Sequence, residues 1–251
     1  MQIKHDSTTE TWVLITGAGK RVGADIARYF ASQGFNLIIH YHSSQDEAEA
    51  LKNEIVEKYA VKVALVAGDL SKEADVKAIF TKHSPDIVIN NAARFAEDNY
   101  HANIDANTTA TFLVSQQAIE RMLADKKRGT IFLVGDAFIA NGGVYSRKLS
   151  AYTMSKSAIP ELVSALAANY GKSGIRVIGI LNGPIEPPPT ASAEVIASVK
   201  AEINLPDEDL HPWIGGRAVG EAIFLLFSIH ALNGESVRID GGRRWLAPRE
   251  H

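Results

Sequence analysis

The chain has no cysteine. That excludes disulfides, thiolate nucleophiles and cysteine-ligated metals, and it agrees with a reducing, cytoplasmic location. No excess of one charge is present either. The formal net charge is −3, with acidic and basic residues interspersed and no polybasic run, so neither nucleic acid nor an anionic membrane is an expected partner. The most apolar late stretch, residues 222–232, contains Ser228 and His230. It is far shorter than the roughly 20 residues that span a bilayer, and it reads as a buried helix. The eight histidines show no HExxH or comparable spacing, so no metal site is expected. Residues 1–10 are polar and lack the apolar core of a signal peptide, which marks them as a flexible tail.

What is present is enough apolar material for a sizeable core: 46% hydrophobic residues in a chain of 251. From residue 11 to 181, apolar runs of strand length alternate with amphipathic runs of helix length. This pattern predicts an α/β fold: a single-domain, doubly wound, Rossmann-type parallel sheet over residues 11–251 with helices on both faces. Seven strands are expected, at 12–16, 36–40, 62–67, 87–90, 131–134, 176–181 and 236–240. Helices are expected at 22–33, 45–59, 72–82, 104–123 and 151–170. In such sheets, ligands bind beyond the carboxyl ends of the strands.

The first strand runs into Thr16-Gly17-Ala18-Gly19-Lys20-Arg21-Val22-Gly23 and then a helix. Free N–H groups at a helix N-terminus favour a pyrophosphate there. Gly17 and Gly19 permit the tight turn, Gly23 lets helix and strand approach, and Lys20 and Arg21 add positive charge. Such glycines also serve plain structural turns, and the strand and helix on either side favour the dinucleotide. The second strand ends at His40-Tyr41-His42-Ser43-Ser44, without the acidic residue that commonly meets the ribose 2′-hydroxyl of NAD. His42, Ser43 and Ser44 suit a 2′-phosphate, so NADPH is the expected cofactor; the serines can also cap the next helix. In Tyr152-Thr153-Met154-Ser155-Lys156 a phenol and an ammonium four residues apart share one helix face. A neighbouring Lys⁺ lowers a phenol pKa from its ordinary value of about 10, which makes a proton donor usable near neutrality.

Further along stand Gly68-Asp69-Leu70, Asn90-Asn91-Ala92-Ala93-Arg94-Phe95, Asn107 in a helix, Asn182-Gly183-Pro184-Ile185 and Ile239-Asp240-Gly241-Gly242. With the glycine-rich turn and the Tyr152/Lys156 pair, they resemble the short-chain dehydrogenase/reductase family over nearly the whole length. The resemblance implies that Asp69 and Leu70 meet the adenine, and that Val22, Asn91, Ala92, Gly183, Pro184 and Ile185 line the cofactor. It also implies that Lys156 holds the nicotinamide ribose and that Asn107 organises a proton-relay water. The family's usual assembly is a homo-tetramer packed through the helices bearing Asn107 and Tyr152; Phe112-Leu113-Val114 and Ile159, Leu162, Val163 and Leu166 are apolar enough to permit it.

Three departures narrow the resemblance: Arg21 where the family has glycine, Asp136 where it has the catalytic serine, and Phe95 after the Asn-Asn-Ala turn. All three are similar to pteridine and dihydromonapterin reductases, as are the TGxxKRxG-like turn, the HYH ending and Arg243-Arg244 after Asp240-Gly241-Gly242. That likeness implies that Arg21 reaches the cofactor phosphates, Phe95 stacks a pterin-like small-molecule substrate against the nicotinamide, and Asp136 works with Tyr152 in delivering a proton to a ring nitrogen. Physical chemistry agrees: a neutral serine donates to a developing oxyanion, which an ionised aspartate repels, whereas a pterin offers N–H donors that a carboxylate accepts. The alternative is that Asp136 faces away from the cleft and caps something local. Asp136 lies 16 residues before Tyr152, three more than is usual, so a bulge is expected within 137–151, with Asn141-Gly142-Gly143 the favoured place and Tyr145 a candidate pocket wall. Pro187-Pro188-Pro189 begins a stiff stretch leading into a substrate lid at about 185–215. Rival readings are a general carbonyl or 3-oxoacyl reductase and a non-catalytic NADP-binding regulator.

Overall fold

The computed structural model describes residues 10–95, 99–137, 149–210 and 212–243. Strands β1 (Trp12–Ile15), β2 (Asn36–Tyr41), β3 (Val63–Ala67), β4 (Ile87–Asn90), β5 (Gly129–Asp136), β6 (Ile175–Asn182) and β7 (Ser236–Ile239) form one parallel sheet in the order β3-β2-β1-β4-β5-β6-β7. The order reverses between β1 and β4, which places a crevice beyond their carboxyl ends. The expected seven-stranded, doubly wound sheet is what forms. β5 and β6 run further than expected, and this carries Asp136 and Asn182 to the sheet's edge as register partners.

Both faces of the sheet are buried, and this is why its strands read as unbroken apolar runs rather than alternating ones. Val13 and Ile15 of β1 enter one core, with α1 (Arg21–Ser32) and α2 (Gln45–Lys58) over it, while Leu14 enters the other. α3 (Glu73–Lys82) covers that second core, which also takes Ile131 and Leu133 of β5; Phe132 and Val134 return to the first.

Where a single helix is expected over 104–123, there are three pieces: a short α4 (Tyr100–Asn103), a π-helical turn (Ile104–Thr109) and α5 (Ala110–Ala124). The late helix, α8, spans Gly216–Ser228 rather than 222–232, and its apolar face closes the first core. Between β5 and β6 lies α6 (Ser150–Tyr170), which carries Tyr152 and Lys156. Of the apolar residues that permit a tetramer, Val114, Ile159 and Val163 belong to this chain's own core, whereas Phe112 is 47% exposed.

The stretch expected as a lid is a small lobe. It holds α7 (Ala193–Lys200) and a 3-10 turn (Asp207–Asp209), with Ile203, Leu210 and Trp213 forming a core of their own. Trp213 Nε1 donates to the Ile196 carbonyl at 3.2 Å, and Arg243 pairs with Glu202 to tie the lobe to the end of β7. Among the described residues, no helix is long and apolar enough to cross a membrane. Tyr145, Asn141-Gly142-Gly143, Arg244 and most of the tail lie outside the described residues.

Candidate active site

A cleft of about 800 Å³ opens at the carboxyl ends of the strands. On one side it is walled by the Gly17 turn. Gly17 has φ 62°, and a Cβ there would lie 2.9 Å from Ala92 Cα; at Gly19 it would lie 2.5 Å from Ser44 Oγ, and at Gly23 2.5 Å from the Gly17 carbonyl. The turn is therefore bare backbone at close range, a shape that suits a pyrophosphate. Cross-strand bonds fix it. The Ala92 N–H donates to Thr16 Oγ1 at 2.9 Å, and Asn91 Nδ2 donates to the carbonyls of Thr16 and Gly17 at 3.0 and 3.3 Å.

His40 completes this frame. The Gly17 N–H donates to its Nδ1 at 3.1 Å, so Nε2 carries the proton and faces the Gly68 carbonyl, also at 3.1 Å. Burial pushes its pKa down to about 4. The imidazole thus stays neutral and joins the ends of three strands. Sequence reasoning placed His40 in a motif but missed this role.

Ser44 sits at the N-terminus of α2, yet its hydroxyl makes no capping bond to the helix; it is buried against Gly19. His42 and Ser43 are exposed on the cleft wall. Asp69 also lines the cleft, but its Oδ1 accepts from the backbone N–H and hydroxyl of Ser71 at 3.1 and 2.7 Å. These bonds, chiefly the hydroxyl, hold its carboxyl below the usual carboxylate range.

On the other side, Tyr152 Oη donates to Asp136 Oδ2 at 2.7 Å. The longer spacing does not separate the two groups, and Asp136 faces the cleft. Burial, and then the Asp136 carboxylate, push the Tyr152 pKa well above its ordinary value. This corrects the expectation that Lys156 lowers it: the Lys156 ammonium donates instead to the Val134 carbonyl at 3.0 Å. Burial brings the Lys156 pKa down to about 8, against an upward pull from Asp136. Phe95 meets the Tyr152 ring edge-on, with centroids 4.9 Å apart, and is 61% exposed.

Asn107 is fully buried behind the wall, and its side chain is committed to protein partners. Its Oδ1 accepts from the Arg94 N–H at 2.8 Å, and its Nδ2 donates to the Arg94 carbonyl and to Ser155 Oγ, both at 2.9 Å. Thr108 Oγ1 donates to the Ser155 carbonyl at 2.8 Å, and Ser155 Oγ donates to the Tyr152 carbonyl at 2.7 Å. The π-helical turn is thereby clamped to the helix that carries Tyr152, an arrangement often found at functional sites. Ser155 stands inside the Tyr152 to Lys156 run, and Thr108 beside Asn107; neither role is visible without the fold.

Asn182, the register partner of Asp136, accepts from the Ala137 N–H through its backbone carbonyl at 2.9 Å, and among the described residues its buried Oδ1 has no hydrogen-bond partner. Gly183 cannot carry a Cβ, which would lie 2.6 Å from Asp240 Cα. Next to it, Ile185 lines the cleft, and Pro184 is not among the cleft's described lining residues. Lys20, Arg21, Val22, Leu70, Asn91 and Ala92 also line the cleft. The Arg21 guanidinium lies on Glu186 and Pro187, with both terminal nitrogens 3.2 Å from the Pro187 carbonyl.

A family model described as short chain dehydrogenase matches residues 11–195. An uncharacterized oxidoreductase of Thermotoga maritima is 29% identical over 92% of this chain and 96% of its own length. A 3-oxoacyl-[acyl-carrier-protein] reductase of Staphylococcus epidermidis is 28% identical over 68% of this chain and 73% of its own. The crystal structure of a short chain dehydrogenase from Burkholderia cenocepacia in complex with NADP shares the fold, with a TM-score of 0.82, 22% identity and coverage of 94% and 98% of the two chains.

Proposed function

The chain belongs to the short chain dehydrogenase family, and from that premise we propose that it is an NADPH-dependent reductase of pterin-like rings. The observation that carries this reading is the 2.7 Å bond between Tyr152 and Asp136. A carboxylate at that point suits a substrate that brings N–H donors, and it disfavours one whose transition state is an oxyanion.

When bound, NADPH supplies the hydride. The turn at Gly17 and Gly19 leaves backbone N–H groups and the start of α1 for the pyrophosphate. His42, Ser43 and Ser44 take the 2′-phosphate, and Asp69 and Leu70 border the adenine. Gly183, Pro184 and Ile185 border the nicotinamide end, where the Lys156 ammonium holds the ribose. Tyr152 keeps its proton until a ring nitrogen of the substrate takes it, with Asp136 orienting the hydroxyl and accepting the ring's own N–H groups. Phe95 covers the ring. Asn107 and Ser155 keep the helix of Tyr152 fixed against the Arg94 loop. Assembly as a homo-tetramer through α5 and α6 is part of the same proposal, and sizing in solution tests it.

A general carbonyl or 3-oxoacyl reductase is the second reading, favoured by the similarity to the staphylococcal 3-oxoacyl reductase. NADPH consumption with dihydrobiopterin, dihydromonapterin, dihydrofolate and a 3-oxoacyl thioester separates the two. Turnover of a dihydropterin is expected. Turnover of the thioester alone overturns the pterin reading, and NADPH binding without turnover of any substrate points to a regulator.

A further inference from the structure

Arg21 occupies a glycine-like position, with φ 57° in the turn that opens α1. A side chain is disfavoured in that conformation, so the local backbone does not explain an arginine. Its guanidinium crosses the cleft instead. Both terminal nitrogens donate to the Pro187 carbonyl at 3.2 Å, one lies 3.5 Å from the Glu186 carbonyl, and the Glu186 carboxylate is 3.7 Å away. These contacts fall at the root of the lobe. Just before them, the Ile185 carbonyl accepts from the Gly215 N–H at 2.9 Å and closes the neck. Just after them, Pro188 and Pro189 stiffen the path toward α7, so the position of Pro187 is transmitted rather than absorbed.

We propose that Arg21 is a positioning residue that couples cofactor phosphate to the substrate-side lobe. A guanidinium has five N–H donors, so the group that grips Pro187 keeps others for a phosphate in the adjoining turn. In the free protein this grip is partly exposed and screened; a bound anion pins the guanidinium and, through Pro187, orders α7. The proposal rests on the NADPH reading.

Amide hydrogen exchange on the full chain, with and without saturating NADP⁺, tests it in wild type, Arg21→Lys and Arg21→Gly. Glycine suits a positive φ, so Arg21→Gly keeps the turn while removing the fork. NADP⁺ is expected to slow exchange both in the Gly17 turn and in residues 188–200 of wild type, the latter by roughly tenfold, the worth of a charge-assisted bond. In Arg21→Gly the turn still slows at saturation and residues 188–200 do not; Arg21→Lys, which lacks the fork, falls between. Without cofactor, Arg21→Gly exchanges faster than wild type in residues 188–200. The proposal is overturned if Arg21→Gly shows the wild-type cofactor effect in residues 188–200, or if its cofactor-free exchange there is unchanged. Failure of the NADPH reading has its own signature, no slowing in the wild-type Gly17 turn, and that result removes the coupling as well.

Discussion

The two sides of the cleft are held differently. Around the Gly17 turn, Gly17 is tied to His40, His40 to Gly68 and Ala92 to Thr16, all through short bonds between neighbouring strands. Around Tyr152, the hydroxyl bonds to Asp136, Phe95 is more than half exposed, and among the described residues the Asn182 side-chain oxygen has no donor. One side is a finished cradle for a group of fixed shape. The other keeps exposed apolar surface, as suits a wall that is completed by its ligand. A fold shared among many short chain dehydrogenases therefore says more about the first side than about the second.

Four substitutions probe that contrast. The largest effect is expected on the Tyr152 side: Tyr152→Phe removes the proton donor, and turnover falls by about 10²–10⁴-fold while NADP⁺ affinity, measured by titration, stays close to wild type. Loss of NADP⁺ binding instead would mean that the two sides are not separable.

The next belongs to His40. Its folded pKa of about 4 lies below the ordinary 6.5, so between those values the unfolded chain binds a proton that the folded chain refuses. Stability therefore falls as pH drops from 6.5 towards 4, by up to about 3 kcal/mol from this group. In His40→Gln the urea midpoint should decline less steeply over that window; an unchanged slope would show that His40 does not hold the cradle as a neutral group.

A smaller loss is expected from Gly23→Ala, whose Cβ would sit 2.5 Å from the Gly17 carbonyl. Overpacking of backbone against backbone costs about 1–3 kcal/mol, read as a lowered melting temperature together with weaker NADP⁺ binding. A neutral result would mean that the turn is looser than its contacts imply. The smallest effect falls on Phe95→Ala, which should raise the KM for a dihydropterin by roughly tenfold, an aromatic contact's worth, with little change in kcat. No change in KM would remove Phe95 from the substrate wall.

The same contrast governs what could be read from the sequence. β1, β2, β5 and β6 were legible because both faces of the sheet are buried, which turns each strand into an apolar run. The Gly17 turn was legible because glycine marks backbone that must be bare. The π-helical turn around Asn107 was not, since a few residues of wider helix leave no mark on a 3.6-residue period. The core of Ile203, Leu210 and Trp213 was not legible within the stretch expected as a lid, because its apolar residues follow no period and meet only in three dimensions. The Tyr152 pKa was misread for a related reason. Spacing along a helix pointed to Lys156, four residues away, whereas the strand end carrying Asp136 comes within hydrogen-bonding distance. His40 shows the same limit, for its partners lie on two other strands.

The central claim is that the carboxylate beside Tyr152 selects a ring with N–H donors. The most direct test is the ratio of kcat/KM for a dihydropterin to that for a 3-oxoacyl thioester, in wild type and Asp136→Ser. The account predicts a ratio above one in wild type that collapses by roughly 100-fold in Asp136→Ser, the worth of one positioned polar group at a reacting centre. A wild-type preference for the thioester, or a ratio that Asp136→Ser leaves unchanged, would contradict it.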